Sequence, residues 1–153
     1  FNESFASFVG YRGAAAFFAA RDGEDAESAR HARETWEKVL ARSLRWADAV
    51  ARLEALYADA HREGWPLEKT LEQRRAVFAE LGPADRINNA VILAQLAYQQ
   101  HLDRFEAAFE RSGRDLRATI GWVSDVAEES DAPFAALATA LAEPPPGTSA
   151  ALR

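Results

Sequence analysis

The longest stretch of this chain without glycine or proline runs from residue 24 to residue 63. It predicts a single helix of roughly 60 Å, because a helix rises about 1.5 Å per residue and nothing in the stretch breaks it. Apolar side chains recur along it at alternating steps of three and four, which is typical of a heptad-like stripe. The stripe consists of Trp36, Val39, Ser43, Trp46, Val50, Leu53, Tyr57 and Ala60. A helix of this length needs a packing partner for that face.

The partner is expected directly after the long helix. Gly64 is a natural helix stop, Pro66 suits the first turn of a new helix, and residues 67–81 follow as an amphipathic segment. One face of that segment holds Leu67, Leu71, Phe78 and Leu81, with Arg74 where an apolar residue is expected. The two segments are predicted to fold back on each other as an antiparallel hairpin.

Shorter amphipathic segments fill the rest of the chain. Their apolar spacing predicts helices over residues 2–20, 85–99, 102–111 and 116–128, and a last one that begins at Pro133. The first of these is expected to break near Gly10 or Gly13. Asp22 or Asp25 is expected to cap the long helix, and Asp131 the last one.

The segment of residues 85–99 is the most apolar part of the chain. It is expected to form a buried helix, although residues 91–93 are also compatible with a short strand. We predict an all-α fold over residues 1–143, in which a long antiparallel helical hairpin packs on a bundle of shorter helices. Residues 144–153 begin with three prolines and a glycine and are predicted to form a flexible Pro-rich tail.

Composition excludes several classes of function. The net charge of −6 argues against a nucleic-acid-binding module, which usually carries a basic face. Without cysteine the chain has neither a disulfide framework nor a thiolate metal site. No apolar run is long enough to predict a transmembrane segment.

The candidate chemistry begins with Glu3. The string Asn2-Glu3-Ser4-Phe5-Ala6 resembles the segment that supplies the third zinc ligand of gluzincin metallopeptidases, which reads Asn-Glu-Gly-Phe-Ala in aminopeptidases of that clan. The resemblance implies that Glu3 is a metal ligand. From spacing alone a simpler interpretation stays open, in which Asn2 caps a helix and Glu3 is an ordinary first-turn acid favoured by the helix dipole.

Two longer segments extend the resemblance. Residues 1–10 read FNESFASFVG and residues 87–93 read INNAVIL, and Tyr98 and Phe105-Glu106 follow. Together they are similar to a bacterial family of predicted aminopeptidases. The resemblance implies a zinc-dependent enzyme that acts on peptides. It also implies a lipoprotein-type signal, and hence a location in the bacterial periplasm or anchored to the cell envelope.

The ligands that Glu3 would need are missing from these 153 residues, which contain no His-Glu-x-x-His motif. We therefore expect the chain to be the C-terminal portion of a larger metallopeptidase fold, with Phe1 as a truncation point, a proteolytic cut or the first ordered residue. The fragment alone is expected to bind no zinc tightly and to be inactive, because metal affinity requires the full ligand set. His31, His61 and His101 are far apart and are expected at the surface or its boundary.

Three further residues are candidates for substrate chemistry. A peptidase needs a donor to the oxygen that becomes negative during attack on the carbonyl, and Tyr98 is the candidate for this catalytic role. Asn88 and Asn89 are candidates to bind the substrate main chain or its α-amino group. In the alternative interpretation, Asn88 caps a helix and Tyr98 is a residue at the edge of the core.

A second class of function also fits the sequence. The heptad-like stripe of residues 36–60 could pair with another chain as readily as with its own hairpin. The protein would then be a non-catalytic helical interaction or scaffold module, with a helix-mediated dimer as its expected assembly.

Overall fold

The computed structural model describes residues 1–83 and 87–143, and all regular structure in these ranges is helical. The predicted all-α fold is confirmed. The described residues form the helices α1 (Asn2–Asp22), α2 (Glu27–Glu63), α3 (Leu67–Leu81), α4 (Asn89–Gln99), α5 (Leu102–Arg111), α6 (Leu116–Glu128) and α7 (Pro133–Ala142). The predicted tail of residues 144–153 lies outside the described residues, as does the start of the predicted segment at Asp85.

The long helix and its hairpin partner are present. Helix α2 has 37 residues and ends at Gly64, whose backbone is left-handed with φ 63°. The chain then turns through Pro66 into α3. Near the far end of α3, Glu80 accepts a hydrogen bond of 2.7 Å from Arg52 of α2, although the two residues are 28 positions apart. Since these two residues lie on opposite sides of the turn, α2 and α3 run antiparallel, as predicted.

Helix α2 connects two hydrophobic cores. Its N-terminal half contributes to the first core, together with α1, α5, α6 and α7. The buried residues of the first core are Phe8, Trp36, Val39, Leu102, Phe105, Ala108, Phe109, Val123 and Leu137. The C-terminal half of α2 packs with α3 and α4 in the second core. The buried residues of the second core are Trp46, Ala49, Leu53, Val77, Phe78 and Ile92.

Most of the predicted stripe is buried within its own chain. Trp36, Val39, Ser43, Trp46 and Leu53 are all buried. Ser43, the one polar position, donates its hydroxyl to the carbonyl oxygen of Leu40 at 2.8 Å. Tyr57, by contrast, is 39% exposed. Little of the stripe therefore remains for contact with a second chain.

The predicted break in the first helix is wrong. Helix α1 runs through Gly10 and Gly13 without interruption. A glycine costs a helix interior about 1 kcal/mol relative to alanine, so packing can outweigh the cost of two. Helix α1 gains that packing because its buried face, which includes Phe8 and Ala15, lies against α2 and α5.

The predicted aspartate caps are also wrong. Helix α2 begins after Ala26, whose side chain cannot cap, and Asp25 does not bond to it. The carboxylate of Asp22 instead bonds to Arg21 and to the hydroxyl of Ser28. A carboxylate so placed still lies close to the first turn of α2, where negative charge is favourable.

The last helix likewise lacks its predicted cap. Ala132 precedes α7. Its N–H donates to the hydroxyl oxygen of Ser130 and not to the carboxylate of Asp131. Pro133 does occupy the first turn, as predicted. Leu137 is fully buried, and Phe134 and Leu141 pack against the first core.

Helix α4 is less buried than its composition predicted. The alternative of a strand at residues 91–93 is wrong, because they lie in the first two turns of the helix. Only Ile92 of this helix is buried, and Leu93 is 67% exposed. Helix α3 shows a similar departure, since Leu67 is 72% exposed. Its Arg74 instead extends its guanidinium over the ring of Phe78, 5.3 Å from the centroid.

Candidate active site

The start of α1 presents Glu3 to solvent. Phe1 is the N-cap residue and makes no side-chain cap bond, so the expectation that Asn2 caps this helix is wrong. The ring of Phe1 packs against Phe105 at 5.3 Å and Phe134 at 5.0 Å between centroids. These aromatic contacts hold the first turn against the first core and leave Glu3 on its outer side.

Ser4 joins this helix start to the end of α4. Its side chain is fully buried. The hydroxyl accepts a hydrogen bond of 3.1 Å from the backbone N–H of Gln100 and lies 3.4 Å from the carbonyl oxygen of Ala97, to which it donates. The last carbonyls of a helix have no partner within the helix, so Ser4 satisfies groups that the end of α4 leaves open.

Tyr98 lies beside this junction. It follows Ala97 directly, and its side chain is 53% exposed. Glu3 directly precedes Ser4, and Tyr98 directly follows Ala97, whose carbonyl oxygen accepts the bond from Ser4. The structure brings the predicted metal ligand and the predicted catalytic residue to neighbouring helix ends, although they are far apart in sequence.

The asparagine pair lies at the opposite end of α4. Asn88 is the N-cap residue, and its side-chain oxygen accepts a bond of 3.0 Å from the N–H of Val91. Asn89 is the first helical residue and is exposed. Ten residues of helix separate Asn88 from Tyr98, or about 15 Å at 1.5 Å per residue. The structure therefore shows the capping role for Asn88 and does not bring the pair to Glu3; substrate binding by the two stays a prediction.

His101 occupies the junction between α4 and α5. Its backbone is left-handed, with φ 53°, and it precedes the first residue of α5. The half-buried ring packs edge-on against Phe134, with centroids 4.7 Å apart. Burial lowers the pKa of His101, and the charge of Arg104 lowers it further, against a smaller opposite effect of Asp103. The boundary position was predicted; the left-handed backbone left no signal in the sequence.

The described residues do not form a complete metal site by themselves. In residues 1–83 and 87–143, no three His, Cys, Asp or Glu side chains are close enough together to hold an ion. No hydrogen bond or ion pair to the Glu3 carboxylate occurs within these ranges either, and Ser7 donates its hydroxyl to the backbone oxygen of Glu3 at 2.9 Å.

A polar link among α1, α2 and α5 has no signal in the sequence. Glu106 of α5 accepts bonds of 3.0 Å from the indole of Trp36 on α2 and from Nε of Arg12 on α1. The guanidinium of Arg12 also covers the ring of Phe109, 4.5 Å from the ring centroid. Burial of the arginine side chain lowers the pKa of Arg12. Glu106 was recognised as part of a family segment, but no pattern indicated partners 94 and 70 residues away.

The fold and this junction of helix ends define the class of protein. Within residues 1–83 and 87–143 the regular structure is all helical, and Glu3 and Tyr98 lie on two helix ends that Ser4 connects. A family model described as "Putative aminopeptidase" matches residues 1–136. Because this match covers most of the chain, the chain belongs to that family. Searches of curated proteins and of solved structures return no match. None of the described helices is long and apolar enough to cross a membrane.

Proposed function

We propose that this chain is the C-terminal portion of a zinc-dependent aminopeptidase of gluzincin type, and that Glu3 is its carboxylate ligand. Membership of the family supports the aminopeptidase activity. The observation that carries the role of Glu3 is its position, exposed on a helix start that a buried hydroxyl and an aromatic cluster hold in place. The two imidazole ligands and the general base would lie outside the chain.

A zinc ion bound by such a ligand set activates water for attack on a peptide carbonyl. The residues of this chain would hold the zinc ion and orient the substrate. Glu3 supplies one oxygen ligand, and Ser4 fixes the turn that carries it. The hydroxyl of Tyr98, a residue that is 53% exposed, would donate a hydrogen bond to a substrate oxygen as negative charge develops there. The chain alone is expected to bind zinc weakly and to lack activity, because one carboxylate cannot hold the ion.

The substitution Glu3→Gln in the protein as encoded tests this role. Changes to groups that merely support a ligand cost about 10–100-fold in metal affinity or activity, so loss of a ligand should cost at least as much. The readouts are bound zinc by mass spectrometry and hydrolysis of an amino-acid anilide. Glu68→Gln is the matched control, because Glu68 is an exposed first-turn acid of another helix, α3. Unchanged zinc content and turnover in Glu3→Gln would refute the proposal.

The resemblance also supports a location in the bacterial periplasm or anchored to the cell envelope by a lipid. Cell fractionation of the encoded protein tests this part separately. Recovery in the cytoplasmic fraction would contradict the location and leave the enzymatic proposal standing.

A helical interaction module is the second candidate, and one observation favours it. The exposed residues of α4 at helical spacing are Ala90, Leu93, Ala94 and Ala97. This apolar face, and not the stripe of α2, is the surface that a second chain could cover. Sedimentation of the encoded protein and of Leu93→Glu discriminates the two functions. A dimer that Leu93→Glu dissociates, in a protein without peptidase activity, would favour the module.

A further inference from the structure

A groove of about 250 Å³ lies between α2 and α4. Its apolar wall is formed by Trp46, Val50 and Leu96. The volume is below the roughly 300 Å³ at which sites for drug-sized ligands begin, so it suits a single amino-acid residue and not a longer ligand. At one end the groove reaches Gln100 and His101, the junction that Ser4 holds next to Glu3.

Two side chains along the groove have unsatisfied acceptors. The Oε1 atoms of Gln95 and Gln99 are buried and have no hydrogen-bond partner among the described residues. A buried acceptor without a donor is unfavourable, and each such group in a folded protein requires an explanation. The terminal torsion of a glutamine is soft, so either oxygen can turn toward a donor that enters the groove.

The charge of the groove favours a cation. Glu54 of α2 contributes an exposed carboxylate that forms no ion pair within residues 1–83 and 87–143. Neither arginine nor lysine is among the described residues that line the groove. His101 at its end adds little positive charge at neutral pH, because burial lowers its pKa. Two amide oxygens and one carboxylate beside an apolar wall are complementary to an ammonium group that bears an apolar substituent.

We propose that this groove binds the N-terminal residue of a peptide. The α-ammonium group is held by Gln95, Gln99 and Glu54, and an apolar side chain packs on the wall formed by Trp46 and Leu96. The inference rests on the proposed aminopeptidase function and names its substrate class, namely peptides with a free amino terminus and an apolar first residue. It also assigns recognition of the amino group to residues other than the asparagine pair.

A probe that cannot be hydrolysed separates binding from catalysis. Isoamylamine carries an ammonium group and a branched alkyl chain, and 3-methylbutan-1-ol is its uncharged counterpart. We expect the amine to bind the protein as encoded about fivefold more tightly than the alcohol, since hydrogen bonds to a charged group exceed those to a neutral one by on the order of 1 kcal/mol. The NMR signals of the Gln95 and Gln99 amides and of the Trp46 indole should shift during the titration.

Three variants test the assignment. Gln99→Leu should weaken amine binding about tenfold through loss of a charge-assisted bond. Glu54→Gln, an exposed substitution that cannot disturb the core, should weaken it about two- to fivefold. Glu37→Gln is the control, because Glu37 is an exposed acid of the same helix about 25 Å away. Equal binding of amine and alcohol, signals that shift elsewhere, or equal affinity in Glu54→Gln and Glu37→Gln would each overturn the proposal.

Failure of the groove proposal and failure of the proposed function give different outcomes. If the amine binds in the groove but Glu3→Gln leaves peptide hydrolysis untouched, the groove is established and the metal role of Glu3 is refuted. If Glu3→Gln abolishes hydrolysis but the amine does not bind, the enzyme is established and the groove is refuted as its substrate site.

Discussion

The buried hydroxyl of Ser4 accepts a hydrogen bond from the backbone N–H of Gln100, 96 residues further along the chain. This bond connects the helix start that carries Glu3 with the helix end that carries Tyr98. Both partners are uncharged, and Ser4 is fully buried, so salt does not screen the contact. The relative position of the two candidate functional residues therefore depends in part on this small side chain, together with the aromatic contacts of Phe1.

Replacement of Ser4 by alanine should destabilise the fold. The substitution removes the acceptor of the partly buried N–H of Gln100, which should cost about 1 kcal/mol in the free energy of unfolding. Urea unfolding followed by circular dichroism measures the change. Ser7→Ala is the control on the same helix, because its hydroxyl bonds only within α1, to the backbone oxygen of Glu3. A loss in Ser4→Ala no larger than in Ser7→Ala would show that the junction does not depend on this bond.

Glu106→Gln should weaken the link among α1, α2 and α5. The amide oxygen can still accept from the indole of Trp36, but Arg12 loses its counter-charge inside the first core. Hydrogen bonds to charged groups contribute about 1.5–3 kcal/mol, and both side chains are mostly buried, so a loss in that range is expected in thermal unfolding. The same substitution at Glu34, which pairs with Lys38 at the surface, should change little. Equal effects would contradict the assignment.

Several helix boundaries follow from the sequence because breakers and apolar spacing coincide there. Helices α3 and α5 cover the predicted ranges 67–81 and 102–111, which end shortly before Gly82 and Gly113. Two of the wrong expectations, the break in α1 and the burial of α4, have a common cause, which is tertiary packing. The contacts of α1 outweigh two glycines, and the exposed side of α4 cannot be inferred from a uniformly apolar segment.

The candidate site was predictable as single residues and not as an arrangement. Family resemblance indicated Glu3 and Tyr98, but their closeness results from a contact between residues 4 and 100 that no local pattern encodes. For Asn88 the sequence predicted a local structural role, and that role is present. Its capping role follows from local chemistry, whereas its contact with substrate stays a prediction.

Two glycines should respond to alanine in opposite ways. Gly10 is an exposed residue within α1, and a Cβ atom there would meet nothing within 4 Å. Alanine should therefore stabilise the protein by about 0.4–1 kcal/mol, mainly by restricting the unfolded chain. Gly64 has φ 63°, a left-handed conformation that costs a side chain about 1 kcal/mol or more. Thermal unfolding of the two variants measures both effects, and stabilisation by Gly64→Ala would contradict the helix end described for α2.

The pKa of His101 should lie below that of the same residue in urea-unfolded protein. Burial against Phe134 is the main cause, and Arg104 adds to it while Asp103 opposes it. A ring that binds its proton more weakly in the folded state favours folding above its unfolded pKa of about 6.5, and this contribution is lost as the pH falls below that value. NMR titration of the imidazole measures the pKa directly. Arg104→Gln should raise it, because a like charge is removed, and Asp103→Asn should lower it further. If the two variants shift the pKa in the same direction, the electrostatic account of this junction is wrong.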